Sequence, residues 1–329
     1  MGTVKTKHLF FFVLLFTLTL GSLASSGFCA ERFPDRPIQL VIPMPPGGFM
    51  DIIGRWVAED LERILGTKVV VLNRPGGSMT LGTDSVVRSK KDGYTILFTS
   101  TSAIVYTRVT NPESVPYDPD KDLEPLGLNV FFPLALAVHE NSPWKSYIEL
   151  LDYTKKNPQK IRVCTQGQGS IDHFTLELIQ RATGAQFTHV PFKGASQIIT
   201  GLMGGHVEAT CTAFANVGTS YFESGTMRIL LLSRKMPGFP QVPTLPELGY
   251  KQDLLSGWFA WYAPAGVPEE AKRVLIPALE KAIKNPELKP KVEKIGCIVD
   301  YKAPAELKKL MVEDYERASA IAAKMKLSK

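Results

Sequence analysis

The fold is set by residues 38–65, IQLVIPMPPGGFMDIIGRWVAEDLERIL, where an apolar run ends in a glycine loop and a helical pattern follows at once. Residues 38–42 predict a strand, and the apolar positions of residues 51–65 recur about every 3.6 residues, as in an amphipathic helix. Gly66 then supplies a helix stop. A strand that leads directly into a helix is the repeating unit of α/β proteins.

The same unit recurs along the chain. Further strands are predicted at residues 68–72, 95–98, 134–138, 161–164, 187–190, 209–212, 229–232 and 258–263. Helical patterns occupy residues 147–156, 170–183 and 196–202, and a charged helical region begins at Pro268. This alternation predicts a mostly parallel sheet with helices on both faces.

The units form two groups, and the chain crosses between the groups twice. Apolar residues 126–138 lead out of the first group, and residues 258–263 lead back to it. We therefore predict two α/β lobes, joined by a two-stranded hinge, with a ligand cleft between them. Lobe 1 comprises residues 31–130 and 254–329, and lobe 2 comprises residues 131–253.

The N-terminus has the pattern of an export signal. Lys5 and Lys7 precede an apolar run at residues 9–20, and small residues dominate residues 21–27. That run is too short to span a bilayer and is typical of a secretory signal peptide. We predict that residues 1–30 are removed on export and that the mature protein is periplasmic.

Charge and motif content exclude several kinds of partner. Removing the two lysines of the signal leaves +4 of the formal charge of +6, dispersed without a basic block, so we expect no nucleic-acid partner. The cysteines show no CxxC spacing, and neither HExxH nor GxxxxGK[ST] occurs. We expect no metal and no other cofactor. The mature cysteines are predicted to be buried thiols that pack as small apolar groups.

The clearest candidate site is the pair Gly47 and Gly48, between the first strand and its helix. Backbone N–H groups at a helix start attract anions, and the absence of Cβ atoms lets a ligand approach the main chain. A tight turn stiffened by prolines is an equally good interpretation. Asp51 is a candidate neighbour of the ligand, although a carboxylate in the first turn suits a helix for structural reasons and would oppose an anionic ligand.

Further loops that follow predicted strands add candidate ligand-binding residues. These are Thr99, Ser100, Thr101, Gly169, Ser170, His173, Lys193 and Thr212. They offer backbone donors, hydroxyls, a helix cap, an imidazole and an ammonium group. Each also has a plain structural interpretation as a cap, a polar turn or a surface residue. All these loops lie at the carboxyl ends of strands, where open α/β sheets form their ligand crevices, and this joint placement favours one cleft.

A family resemblance extends over nearly the whole mature chain. Its motifs are FPDRPI (33–38), PPGG (45–48) with Asp51, NRPGG (73–77), DGYT (92–95), YDP (117–119), GQGS (167–170) with His173, VPFKG (190–194), VPT (242–244) and APAGVP (263–268). In this order they resemble the Bug receptors, the solute-binding proteins of tripartite tricarboxylate transporters.

The resemblance implies a type II periplasmic-binding-protein fold and a receptor function. Such a protein captures a di- or tricarboxylate, an acidic amino acid or an aromatic acid, and delivers it to membrane transporter subunits. By analogy, the backbone amides of Gly47–Gly48 hold a carboxylate, partly through ordered water, and Gly169–Ser170 contribute from the opposite lobe. Phe49 and Met50 are bulkier than the residues expected there, which suits an apolar moiety on the ligand. We expect a monomer.

Other functions stay open at this point. A secreted hydrolase-type enzyme is disfavoured because no GxSxG elbow occurs, and we expect a protein that is not an enzyme. The effector-binding half of a transcription regulator is disfavoured by the export signal. An orphan receptor that signals to a membrane sensor is compatible with every feature of the sequence.

Overall fold

The strand–helix rhythm is present throughout the part of the chain that the structure describes. The computed structural model describes residues 33–217, 221, 224–236 and 238–325, so the predicted signal peptide lies outside the described residues. The first elements are β1 (Ile38–Ile42), α1 (Phe49–Leu65), β2 (Val69–Asn73), α2 (Thr80–Val87), β3 (Thr95–Ser100), a π-helical turn (Ser102–Tyr106), α3 (Thr107–Thr110), α4 (Pro119–Asp122) and β4 (Leu123–His139).

The remaining elements complete a second group and then return to the first. They are α5 (Tyr147–Lys156), β5 (Ile161–Thr165), α6 (Ile171–Thr183), β6 (Phe187–Pro191), α7 (Ala195–Met203), β7 (Ala209–Ala213), α8 (Phe214–Val217) and β8 (Met227–Leu232). After them come β9 (Ser256–Pro264), α9 (Glu269–Ile283), α10 (Leu288–Lys294), β10 (Ile298–Lys302) and α11 (Pro304–Met325).

Strand β4 is shared by two sheets. As far as Pro133 it pairs with β9 and β10, and from Leu134 onward it pairs with β7 and β8. The order of strands is β2-β1-β3-β9-β4-β7-β5-β6, with β8 and β10 also paired to β4. Almost every residue of β4 is buried. The predicted strand at residues 134–138 was therefore too short, because the apolar residues before it belong to the same strand.

The direction of the strands corrects the expected mostly parallel sheet. β1 is parallel to β2 and β3, and β5 is parallel to β6 and β7. All pairings of β4, and that of β3 with β9, are antiparallel. The outer strands follow the predicted β-α-β pattern, whereas the central strands carry the chain from one sheet to the other and run against their neighbours.

Helix α1 packs closely on the first sheet because Gly54 lacks a side chain. A Cβ at this position would lie 2.6 Å from Ile42 Cδ1 and 3.0 Å from Phe98 Cδ1. The helix ends at Gly66 in a left-handed conformation with φ of 67°, as the sequence predicted. This close packing fixes the start of α1 against the carboxyl end of β1.

The two passages between the sheets lie side by side. Pro133 of β4 pairs with Ser256, the first residue of β9. The hydroxyl of Ser256 lies 2.9 Å from that of Ser233, which also accepts a hydrogen bond from Leu134 N at 2.9 Å. The described residues from Arg36 onward form one compact unit, and the division into two lobes close to this crossing stays a prediction.

Two general features of the described residues concern membrane spans and the cysteines. Among them, no helix has the length and apolar character needed to cross a bilayer. Cys164, Cys211 and Cys297 are buried free thiols, which confirms the predicted packing role.

Candidate ligand-binding site

The loop between β1 and α1 is closed by a side chain of its own helix. Gly47 has φ of 88°, which favours glycine, and its N–H donates to Asp51 Oδ2 at 2.9 Å. Gly48 is the N-cap residue, and no side chain caps the helix at this position. A Cβ added to either glycine would meet no atom within 4 Å. The start of α1 therefore offers N–H groups without a capping side chain, next to open space.

Asp51 braces this loop from inside the fold. The residue is 2% exposed, and besides the bond from Gly47 its carboxylate accepts from Arg55 Nε at 3.0 Å and Asn73 Nδ2 at 2.8 Å. Burial favours a raised pKa, but the hydrogen bonds from Arg55, Asn73 and Gly47 together outweigh it and hold the pKa of Asp51 below its usual value. Both carboxylate oxygens are thus occupied, and the charge is balanced by Arg55.

Asn73 and Arg55 complete the brace and were missed by the sequence analysis. Asn73 Nδ2 also donates to Met44 O at 3.0 Å, and Arg55 Nη2 donates to Asn73 Oδ1 at 2.8 Å. Asn73 pairs in register with Ile42, the last residue of β1. A polar residue at the carboxyl end of the neighbouring parallel strand was the signal that could have found it.

The predicted hydroxyls at the end of β3 are buried. Ser100 Oγ accepts a hydrogen bond from Ser102 N at 3.2 Å. Within the described residues, the hydroxyls of Thr99 and Thr101 have no hydrogen-bond partner. Because a buried hydroxyl without a partner is costly, these two are the unsatisfied polar groups of this strand end.

The loop between β5 and α6 is satisfied by internal bonds. Gly169 N donates to His173 Nδ1 at 3.1 Å, and Ser170 Oγ donates to Gly167 O at 2.8 Å. Ser170 also caps α6 by accepting from His173 N at 3.3 Å. The expected free donors of Gly169 and Ser170 are therefore occupied within the loop. A Cβ at Gly169 would lie 2.8 Å from Thr110 Cβ, so the loop closely approaches α3.

His173 is half of a stacked pair of histidines. Its ring lies 4.0 Å from that of His189 at an interplanar angle of 12°, and His189 Nε2 lies 2.7 Å from Thr165 Oγ1. Burial, together with the neighbouring His189, lowers the pKa of His173 to about 4. The imidazole is therefore neutral near pH 7, and its Nδ1 can accept the Gly169 N–H.

Thr212 lies at the centre of a buried polar network. Its hydroxyl accepts from Gln166 Nε2 and from Asn216 Nδ2, each at 3.2 Å, and it bonds the carboxyl group of Asp172. Burial raises the pKa of Asp172 to about 6, although hydrogen bonds from Thr212 and Gln166 oppose this shift. The Thr212 hydroxyl is fully used inside the protein, and it positions Gln166 and Asn216.

The loop between β6 and α7 repeats the arrangement at α1. Lys193 N donates to Gln197 Oε1 at 2.9 Å, and the N-cap residue Gly194 has no side-chain cap. A Cβ at Gly194 would meet no atom within 4 Å. The Lys193 side chain is exposed, and no ion pair joins it to an acidic group of the described residues.

One bonding pattern recurs at these loops. At α1, α6 and α7 the third helical residue accepts a hydrogen bond from the N–H two residues before the helix, from Gly47, Gly169 and Lys193 respectively. At α1 and α7 the N-cap residue is glycine, so these two helices keep uncapped first turns. The loops therefore have fixed shapes, and α1 and α7 present backbone donors.

A separate groove lies on another part of the molecule. It has a volume of about 390 Å³ and is lined by residues 233–235, residues 253–256 and side chains of α11. Two of its basic groups have acidic partners, since Lys235 Nζ lies 2.9 Å from Glu247 and Arg234 lies 3.8 Å from Asp300, and Arg317 donates to the backbone carbonyl of Asp253. The predicted site residues do not line it, and we place the candidate site at the strand-end loops.

Comparison with known proteins agrees with this architecture. Residues 53–327 match the family described as the tripartite tricarboxylate transporter family receptor. The chain belongs to this family. Its members are periplasmic binding proteins rather than enzymes, so this receptor binds a solute and does not transform it.

Individual relatives are similar over most of their length. The receptor is 37% identical to protein BugT of Bordetella pertussis over 239 residues, which cover 72% of this chain and 73% of BugT. It resembles Rpa4515 of Rhodopseudomonas palustris, solved with adipate, at 26% identity and a TM-score of 0.79, covering 88% of this chain and 97% of that one. The likeness to MatC of the same organism, solved with malate, has 25% identity and a TM-score of 0.74, covering 88% and 99%. These findings confirm the predicted fold and the resemblance to Bug receptors.

Proposed function

We propose that this receptor binds a small carboxylate at the start of α1 and delivers it to the membrane subunits of a tripartite transporter. In this proposal the protein acts as a periplasmic monomer after loss of residues 1–30. The observation that carries the proposal is the start of α1, which is braced by Asp51 and left without a capping side chain. The adipate and malate of the two solved relatives support a carboxylate as the ligand class.

The start of α1 suits an anion for electrostatic reasons. A helix N-terminus carries about half a unit of positive charge, and its first N–H groups point toward a ligand. The Asp51 carboxylate lies nearby, but Arg55 and Asn73 occupy its oxygens. A bound carboxylate therefore meets the N–H donors of α1, and the negative charge of Asp51 repels it only weakly.

The start of α7 adds a second point that favours anions. Gly194 leaves its first turn uncapped, and the Lys193 ammonium group is exposed at the same loop. The hydroxyls of Thr99 and Thr101 supply hydrogen-bonding groups without partners. We assign Gly48 and Lys193 to ligand contact, whereas Thr99 and Thr101 are fully buried in this structure and would reach a ligand only after the groups around them move.

The other predicted residues receive positioning roles in the proposal. Gly47 and Asp51 shape the loop before α1, and Ser100 bonds the turn after β3. Gly169, Ser170 and His173 shape the loop before α6. Thr212 holds the side chains of Gln166 and Asn216.

The direct test is the identity of what the protein carries. Receptor purified from periplasm without unfolding is analysed by native mass spectrometry, and the acid that is found is titrated back by calorimetry. We expect a small carboxylate, bound one to one and recovered unchanged. A bound molecule without an acidic group, or an acid that is converted during the titration, would contradict the proposal.

Export and processing have their own test. N-terminal sequencing of periplasmic protein should find a start between Ser25 and Arg32. An intact Met1 on protein that stays in the cytoplasm would contradict this part of the proposal.

A further inference from the structure

The first side chain of α1 is an aromatic ring that lies at the crossing of the two sheets. Phe49 follows the N-cap residue Gly48 and is only partly buried. Its ring centroid lies 5.7 Å from that of Phe132 in an edge-on contact, and 5.2 Å from that of Phe259. Both of these partners are almost fully buried and belong to the crossing strands.

The local sequence makes room for this ring cluster. Phe132 pairs in register with Gly257, and its ring lies over that glycine, where any Cβ would collide with it. Phe132 and Phe259 also contact each other, with centroids 4.8 Å apart. Phe49, Phe132 and Phe259 therefore form one apolar cluster, which we call the crossing aromatic cluster, and Phe49 is its partly exposed member.

The cluster lies directly beside the backbone donors of α1. Side chains on a helix lean toward its N-terminus, so a ring at the first helical position covers the side on which the loop lies. The nearest basic side chain of this helix, Arg55, is held by Asp51 and Asn73. Next to the amides that receive one carboxylate, α1 thus presents an aromatic ring rather than a second positive charge.

Resting on the function proposed above, we infer that Phe49 is a specificity-determining residue that selects carboxylates with an apolar body, with aromatic acids as the best fit. An aromatic ring of the ligand gains contact area and a ring–ring interaction against Phe49. A hydroxylated dicarboxylate such as malate would have to bring polar groups against the same surface, where they lose water without gaining a partner.

The test compares ligands and variants by calorimetry on ligand-free receptor. The probes are benzoate, phenylacetate, adipate and malate. We expect at least one of the two aromatic acids to bind more tightly than malate. Phe49→Ala should weaken the binding of that aromatic acid about tenfold or more, because its apolar body loses its contact with the ring. The binding of malate should weaken by less than about threefold. Phe49→Leu should retain part of the affinity.

A matched control separates this role from loss of packing. Tyr153→Ala removes another helical ring with an edge-on partner, since the ring centroid of Tyr153 on α5 lies 5.2 Å from that of Trp144. Residue 153 precedes the amino end of β5, away from the strand-end loops. This variant should bind all four acids as the parent does, and unfolding of every variant is recorded alongside.

The outcomes distinguish the inference from the proposed function. Tighter binding of malate than of both aromatic acids overturns the inferred selectivity. An equal loss of affinity for malate and for the aromatic acid in Phe49→Ala overturns it as well. Both results leave the proposed carboxylate receptor intact. Failure of all four acids to bind overturns the inference, and the proposed function falls with it only if the native ligand carries no acidic group. Gly48→Ala should weaken both classes by the same factor, because it disturbs the site of the shared carboxylate.

Discussion

Asp51 shows how one side chain prepares a site without touching the ligand. It joins the Gly47 N–H, Arg55 and Asn73 into a single buried arrangement. An asparagine would keep one acceptor oxygen but would turn a donor toward Arg55 or Asn73, leaving donors unpaired. Residues of this kind are recognised only once the partners from other elements are known.

We predict that Asp51→Asn destabilises the protein by about 1–3 kcal/mol at pH 7 and also weakens ligand binding. Because folding lowers the pKa of Asp51, its contribution is complete above the unfolded pKa and is lost as the pH falls through the lower folded value. Urea unfolding at pH 7 and pH 3 measures this difference, with Glu59→Gln on the exposed side of α1 as control. Equal stability of Asp51→Asn and the parent at pH 7 would contradict the bracing role.

The sequence located the key glycines but not their partners. Gly47 and Gly48 were predicted at a helix start, because an apolar run, two glycines and a helical pattern are adjacent in the chain. Asn73 was missed because it reaches Asp51 only through the pairing of β1 with β2. The donors of Gly169 were expected to be free because the bond to His173 cannot be read from spacing alone.

At the scale of elements, the loop between β5 and α6 depends on pH because two titratable residues lie at the start of α6. His173 accepts the Gly169 N–H only when its imidazole is neutral, and the next residue toward the N-terminus, Asp172, is buried with a raised pKa. The pKa of His173 is lowered to about 4, so its contribution to stability is lost as the pH falls from its unfolded pKa toward 4. Asp172, with a pKa of about 6, has the opposite effect, because its contribution is lost as the pH rises through that value.

We predict that His173→Gln keeps the conformation of the loop before α6 and removes the loss of folding stability at low pH that His173 causes. Glutamine already accepts the equivalent N–H at α7, where Gln197 bonds Lys193 N. Lowering the pH from 7 to 4.5 should cost the parent roughly 1–2 kcal/mol more than the variant, measured by urea unfolding. Parallel pH profiles of the two proteins would show that His173 is not the group that titrates.

Elements were predicted better than their pairing. Helix α5 begins and ends as the sequence indicated, and β1 does as well. The antiparallel centre was missed because strand direction depends on where the chain crosses between sheets, which the period of apolar residues does not reveal. The strand β10 was also missed, since its residues are only partly buried and lack a continuous apolar run.

At the scale of the whole molecule, the two groups of loops are in contact in this structure. Tyr106, after β3, lies 5.3 Å from Phe174 of α6, and Gly169 is close to Thr110. These contacts join residues of the first sheet's loops to residues of the second, and the connections between the sheets are the paired strands β4 and β9. In the proposed two-lobed receptor, these contacts would belong to the closed form.

We predict that the ligand-free protein is more open than the saturated protein. Small-angle scattering should give a larger radius of gyration without the acid than with it, because the contacts at Tyr106 and Gly169 separate when the hinge opens. Identical scattering curves at saturating and zero ligand would count against the hinge. Closure of the hinge around the ligand is the usual response of two-lobed binding proteins.

The most direct measurement for the whole account is the affinity of Gly48→Ala. The backbone of Gly48 is extended and a Cβ there meets no protein atom, so alanine fits without strain and places a methyl group beside the first-turn donors of α1. Gly238, which is exposed and equally open, supplies the control Gly238→Ala. Losing one charge-assisted hydrogen bond of about 1.5–3 kcal/mol should weaken carboxylate binding roughly tenfold to a hundredfold in Gly48→Ala alone. Calorimetry that finds the affinity of Gly48→Ala equal to that of the parent would show that this loop does not hold the carboxylate.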